Sequence, residues 1–180
     1  MADLVSRAWQ FRAGFLLLAG AVGFAQLLPL DIGPDDRMPG QELVLVVAFA
    51  WLVRRPEFVP PLLLAAVFLI ADILFMRPPG LWAALVVLAG EFLRGRRARL
   101  IAATFFVEWL LVAAVLLAMK VMETAMLSLS GIAHPGMDMT ITHFGLAILS
   151  YPVVVLLTER VLGLRKLHPG DWERPERVGK

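Results

Sequence analysis

The run RRPEFVPPLLLAAVFLIADILFMRPPG, residues 54–80, decides how the chain is read. An apolar stretch is bounded on each side by a charged, proline-containing turn. Arg54 and Arg55 stop the preceding apolar segment, and Pro56 disfavours its continuation as helix. Glu57 lies near the start of the next helix, where a negative charge suits the positive end of the dipole. Pro60 and Pro61 fall within about the first turn, where missing amide donors are best tolerated. MRPPGLWA, residues 76–83, repeats the logic at the other end. There Pro78, Pro79 and Gly80 break the chain, and Trp82 is placed to anchor at an interface.

The rest of the chain supports a membrane setting. Of 180 residues, 59% are hydrophobic, with a mean hydropathy of +0.78. Soluble domains sit near ~45–50% apolar. Too few polar residues remain here to cover such an excess in water. The chain has no cysteine, which excludes a disulfide framework and any thiolate metal or redox site.

Six apolar segments follow one another, at roughly 12–30, 40–53, 58–76, 80–93, 101–129 and 140–163. A crossing helix needs ~20 residues. Segments one, three and six meet that length, and the first reads as a transmembrane helix rather than a cleaved leader. Segments two and four are short, which suits helices packed inside a bundle, flanked by snorkelling arginines, or set in a locally thinned bilayer. Segment five is longer than a crossing needs. Most connections are short, which favours antiparallel neighbours. The expected architecture is an all-α integral membrane domain, residues 1–167, of about six transmembrane helices in one compact bundle. A polar cytoplasmic tail, residues 168–180, follows.

Charge sets the orientation. With six crossings, 14 of the basic residues fall on one side, against only Arg37 and Arg77 on the other, with Lys120 inside segment five. Basic residues are enriched in cytoplasmic loops, so both termini are expected inside.

The ionisable residues within apolar segments are the candidate sites. Charges inside a bilayer are costly and generally face the protein interior. Asp72 reads either as an ion or substrate ligand or as glue bonded to amides, hydroxyls or a cation. Glu108 is expected to face another helix or a partner subunit. Lys120 and Glu123, three apart on one helical face, are expected to pair near the outer interface. Glu91 is expected to pair locally with Arg94. His134, His143 and Asp138 match no metal-site spacing, and the methionines read as adaptable packing residues. No phosphate loop or nucleophile motif is present, so no catalytic, cofactor or metal residue is expected. The basic run RGRRAR, residues 94–99, reads as an orientation signal and lipid headgroup contact rather than a nucleic-acid site.

Residues 54–80, followed by LWAALVVLAGEFLRGRR (81–97), FFVEWLLVAAVLLAM (105–119) and SYPVVVLLTERVLGLRKLHPGD (150–171), resemble the MreD family of rod shape-determining membrane proteins, in its alphaproteobacterial form. The likeness runs from about residue 10 to 171. Arg55, Pro56, Asp72 and Gly80 match the family's R-P, D and G-L pattern; Pro60 and Pro78 join them as turn residues. The resemblance implies a bundle similar to the substrate-binding component of energy-coupling-factor transporters. It also implies a non-enzymatic inner-membrane protein without cofactor. Its partners would be MreC, and in a larger complex RodA, a class B penicillin-binding protein and MreB. A scaffold of this kind acts through intramembrane packing, with small residues and polar groups such as Glu108 as contacts. Two rivals stay open. One is a small-molecule-binding transporter component with an outward cavity near Asp72, His134, Thr142 or His143. The other is an intramembrane enzyme using Glu108 or Asp72 as acid–base groups.

Overall fold

A computed structural model describes residues 2–27, 40–130 and 137–161, with side chains for 9–27, 42–130 and 142–160. The connections expected at 31–40 and 131–138 fall wholly or largely outside the described residues, as do His134 and the tail at 168–180. Among the described residues every regular element is a helix: α1 (Ala2–Leu27), α2 (Gly40–Arg54), α3 (Pro61–Leu74), α4 (Leu81–Gly95), α5 (Arg97–Ala102), α6 (Phe105–Leu129) and α7 (Met137–Val161). Three stretches are long and apolar enough to cross a membrane: Trp9–Leu27, Phe105–Leu129 and Thr142–Arg160.

The fold is organised around α2. Its sequence, LVLVVAFAWLV, is apolar on every face, as expected of a helix surrounded by others. Leu45, Val46, Ala48, Phe49, Leu52 and Val53 are all fully buried. Helices α1, α4 and α7 pack around it. On the α1 side, Phe11 lies edge-on to Trp51 at 5.8 Å and stacks on Phe58 at 4.3 Å. The short segment two is thus an internal helix, one of the arrangements its length allowed. Helix α4 is two-faced instead. Trp82, Ala83, Val86, Ala89, Gly90 and Leu93 are buried at helical spacing, while Leu88 and Phe92 are exposed. Gly90 lets α4 approach closely: a Cβ there would sit 3.2 Å from Leu64 Cδ1 and 3.3 Å from Leu52 Cδ1.

Both turns around residues 54–80 form, with corrections of detail. Helix α3 begins at Pro61, and Pro60 is its extended N-cap residue. Glu57 therefore precedes the helix and does not complement its dipole. It lies 3.5 Å from Arg55 instead. At the far end, Arg77 N–H donates to the Asp72 carbonyl at 2.9 Å and Met76 N–H to Ile73 at 3.3 Å. This is a Schellman closure, which needs a left-handed residue at its penultimate position. Met76 takes that position with φ 52°. Gly80, at φ 89°, is the N-cap of α4, a conformation glycine adopts without strain. Trp82, expected as an exposed interfacial anchor, is instead buried, edge-on to Phe144 at 6.2 Å, because it is the second residue of α4 and falls on its inward stripe.

The fifth apolar segment is two helices. Ala103 and Thr104 are both extended, with ψ 156° and 155°, and separate α5 from α6. The arginine run taken as a connection is partly helical. The cause is at the end of α2, where the last carbonyls lack helical donors. Arg97 donates to Val53 and Arg54 carbonyls at 3.4 and 3.2 Å. Meeting those carbonyls holds α5 against the end of α2, so the chain turns before α6 starts.

Candidate functional site: a buried ionic junction

Three helices converge on Arg54. Its guanidinium is buried, at the last position of α2. Nη1 donates to Glu108 Oε1 of α6 at 2.8 Å. Nη2 donates to Glu159 Oε1 of α7 at 3.0 Å, and Nε approaches the same oxygen at 3.3 Å. Nη1 also reaches the Ala50 carbonyl at 3.4 Å. The Tyr151 hydroxyl, from α7, donates to Glu108 Oε1 at 2.6 Å. Trp51 Nε1 adds a 3.4 Å contact to Thr158 Oγ1. A guanidinium suits this place because its planar fork serves several acceptors at once.

The junction is graded in exposure. Arg54 and Glu108 side chains are fully buried, whereas the Glu159 side chain is 34% exposed. Its inner arm therefore works in a low dielectric, and its outer arm meets a screened environment. Two buried charges cost desolvation that only good geometry and extra hydrogen bonds offset. The Tyr151 hydroxyl and the second carboxylate supply those bonds.

Helix α7 carries Pro152 at its middle, one residue after Tyr151. A proline removes the amide that would bond the carbonyl four residues earlier. That carbonyl belongs to Ile148, and Trp109 Nε1 of α6 donates to it at 2.9 Å. The indole thus replaces the missing bond, which an apolar setting requires.

A second polar site closes the other end of the α3–α4 hairpin. Asp72 is buried. Its Oδ2 accepts from Gly80 N–H at 3.0 Å and Ala83 N–H at 3.2 Å. Asp72 is thereby the N-terminal cap of α4, a role that Gly80 cannot fill without a side chain. These two amide bonds are the contacts that the glue reading of Asp72 calls for. The match residues Asp72 and Gly80 are brought together in one contact. Pro78 adds its carbonyl, which accepts from Leu81 N–H at 3.2 Å.

The remaining sequence candidates are spread out. Arg55 and Pro56 lie in the turn after α2, partly exposed, and Pro60 accepts from Leu63 and Leu64 amides at the start of α3. Glu108 faces other helices of its own chain. Lys120 and Glu123 pair at 2.7 Å as expected, but largely shielded, and Lys120 lies over the Phe144 ring. Glu91 and Arg94 pair at 3.5 Å. His143 is partly exposed. Among the described residues no three metal-ligating side chains cluster.

Sequence reasoning missed Arg54 and Glu159 as partners of Glu108. From sequence alone Arg54 reads only as an interfacial stop signal. Its neighbour Arg55 fits that reading, and nothing local distinguishes the two. The available signal is helical spacing in α2, which places Arg54 in line with Ala50 and Trp51, both buried.

A cavity of about 290 Å³ lies elsewhere, between α1 and α3. Ala19, Gly20, Gly23, Val44, Phe68 and Leu74 line it, and the lining is almost wholly apolar. Asp72 and His143 are not part of it.

Comparison with known proteins gives no match: no family model, no curated protein and no solved structure matches the chain.

Proposed function

We propose that the chain is a scaffold of the MreD kind in a bacterial inner membrane. It acts without catalysis in the cell-elongation complex. It binds the single helix of MreC and links MreB filaments to RodA and a class B penicillin-binding protein. Helices α1–α4, α6 and α7 cross the bilayer with both termini cytoplasmic, in a bundle similar to the substrate-binding component of energy-coupling-factor transporters.

One observation carries the reading. The buried ionisable groups Arg54, Glu108 and Asp72 each bond within the chain and hold helix ends together. They reinforce the bundle. The surface left for work is the apolar exterior, above all α1, whose apolar stretch is scarcely buried. Leu17 and Phe24 are 74% and 65% exposed there. Gly20 and Gly23 have nothing within 4 Å of a notional Cβ, and small residues permit close helix approach within a membrane. Arg12, Arg54, Arg94 and Arg97 are tied together at one end of the bundle. That clustering agrees with six alternating helices and the basic side inside.

The test is purification from native membranes in mild detergent, with identification of co-purifying chains. Retention of MreC supports the scaffold. A small-molecule-binding transporter component is the second reading, favoured by the α1–α3 cavity. Its lining would suit an apolar ligand, and retention of such a molecule without MreC would put this reading first.

A further inference from the structure

We infer that the elbow between α4 and α6 is a binding site for an anionic phospholipid headgroup, with Arg96 and Arg99 as its ligands. The arginines at this end of the bundle divide into two groups. Arg54, Arg55 and Arg94 each have a glutamate within ion-pair distance. Arg12 and Arg97 donate to backbone carbonyls. Arg96, Arg99 and Arg160 have no ion-pair partner among the described carboxylates, and all three are exposed; of these only Arg96 and Arg99 share the elbow between α4 and α6.

Their placement is built rather than incidental. Within α5, Leu100 is buried and Arg97 is clamped to α2. That face is fixed to the bundle, so Arg99 is turned outward. Arg96 is positioned by a ring: its Cζ lies 3.6 Å from the Phe92 centroid. Stacking orients a guanidinium while leaving its N–H edge available.

Apolar surface adjoins Arg96 at Phe92, which is 41% exposed. The apolar run of α6 begins shortly after Arg99 in the chain, at Phe105, where Phe105 and Phe106 are 41% and 62% exposed. The arginines therefore sit where a crossing helix enters hydrocarbon, at headgroup height. A phosphodiester would accept from the two guanidiniums while its acyl chains lie along the phenylalanines. A purely acidic, hydrophilic segment would leave this apolar wall uncovered, whereas acyl chains cover it. The observations therefore favour a lipid.

The experiment titrates phosphatidylglycerol and phosphatidylcholine into the intact protein in detergent and counts bound lipid by native mass spectrometry. Basic residues near anionic lipid contribute about fivefold each in affinity. Wild type should retain phosphatidylglycerol preferentially, and Arg96→Gln/Arg99→Gln should weaken it about twenty-fivefold. Arg96→Lys/Arg99→Lys should recover part of the loss. Arg160→Gln, at the end of α7, should change nothing, and circular dichroism should show all variants folded. Equal retention of phosphatidylcholine overturns the inference. So does an undiminished affinity in the Arg96→Gln/Arg99→Gln variant. Binding of inorganic phosphate as strong as that of the lipid, or displacement of the lipid by a polyglutamate peptide, likewise overturns it.

Discussion

Replacing Glu108 by alanine should be the most damaging single change in the ionic junction. It leaves the fully buried Arg54 guanidinium with one carboxylate in place of two. It also strips the Tyr151 hydroxyl of its 2.6 Å acceptor. Breaking a buried ion pair from one side costs ~3–5 kcal/mol, and a buried hydroxyl without an acceptor adds ~1–3 kcal/mol. Glu159 still holds Arg54 at 3.0 Å, which offsets part of the loss. The net expectation is a destabilisation of ~3–5 kcal/mol. Glu159→Gln should cost no more than ~1 kcal/mol, because its carboxylate is partly exposed. The decisive partner is the triple variant Arg54→Met/Glu108→Leu/Tyr151→Phe. It removes both charges and the hydroxyl together, and apolar replacement of a buried pair is often neutral or stabilising. Glu159 can then turn to water. Unfolding in detergent micelles, followed by circular dichroism, measures all three. A Glu108→Ala protein within about 0.5 kcal/mol of wild type, below the usual range for breaking such a pair, would show that the junction does not hold the bundle together. A triple variant less stable than Glu108→Ala would show that the loss does not come from the unpaired buried charge.

Four further outcomes follow from local geometry. Trp109→Phe should cost ~1–3 kcal/mol in the same unfolding assay, because the Ile148 carbonyl freed by Pro152 loses its donor. Asp72→Ala should cost a similar ~1–3 kcal/mol by uncapping Gly80 and Ala83 amides, and faster amide hydrogen exchange at the start of α4 would locate the effect. Met76→Gly should stabilise by about 1 kcal/mol, since a left-handed residue closes α3; a thermal shift upward checks it. Gly90→Leu should cost ~1–3 kcal/mol by overpacking against Leu64 and Leu52, read as a lowered unfolding midpoint.

The hairpin around residues 54–80 was legible because prolines act locally. Pro60, Pro61 and Pro78 exclude backbone conformations wherever they occur, so the ends of α3 and the start of α4 follow from composition. Lys120–Glu123 and Glu91–Arg94 were legible for the same reason, since helical spacing alone makes neighbours. The break between α5 and α6 was not. Ala103 and Thr104 carry no strong breaking signal, and the turn depends on Arg97 meeting carbonyls of α2, a contact 43 residues distant in sequence. The junction was half legible. A carboxylate as deep as Glu108 had to face something, but its partners lie 54 and 43 residues away. Charge rules treat Arg54 and Arg55 alike, and only the packing of α2 separates the buried one from the exposed one.

The central claim is that the chain works through its apolar exterior while its buried polar groups serve the bundle. Native-membrane purification of wild type, Glu159→Gln and Gly20→Leu/Gly23→Leu tests it most directly. A Cβ at either glycine meets nothing within 4 Å, and the leucines extend along the α1 surface and the mouth of the α1–α3 cavity; an unchanged circular dichroism spectrum checks that folding is preserved while that surface is blocked. MreC should accompany wild type and Glu159→Gln and be lost from the glycine double variant. Absence of MreC from wild type, or its retention on the blocked surface, would show that the α1 exterior is not where the protein works.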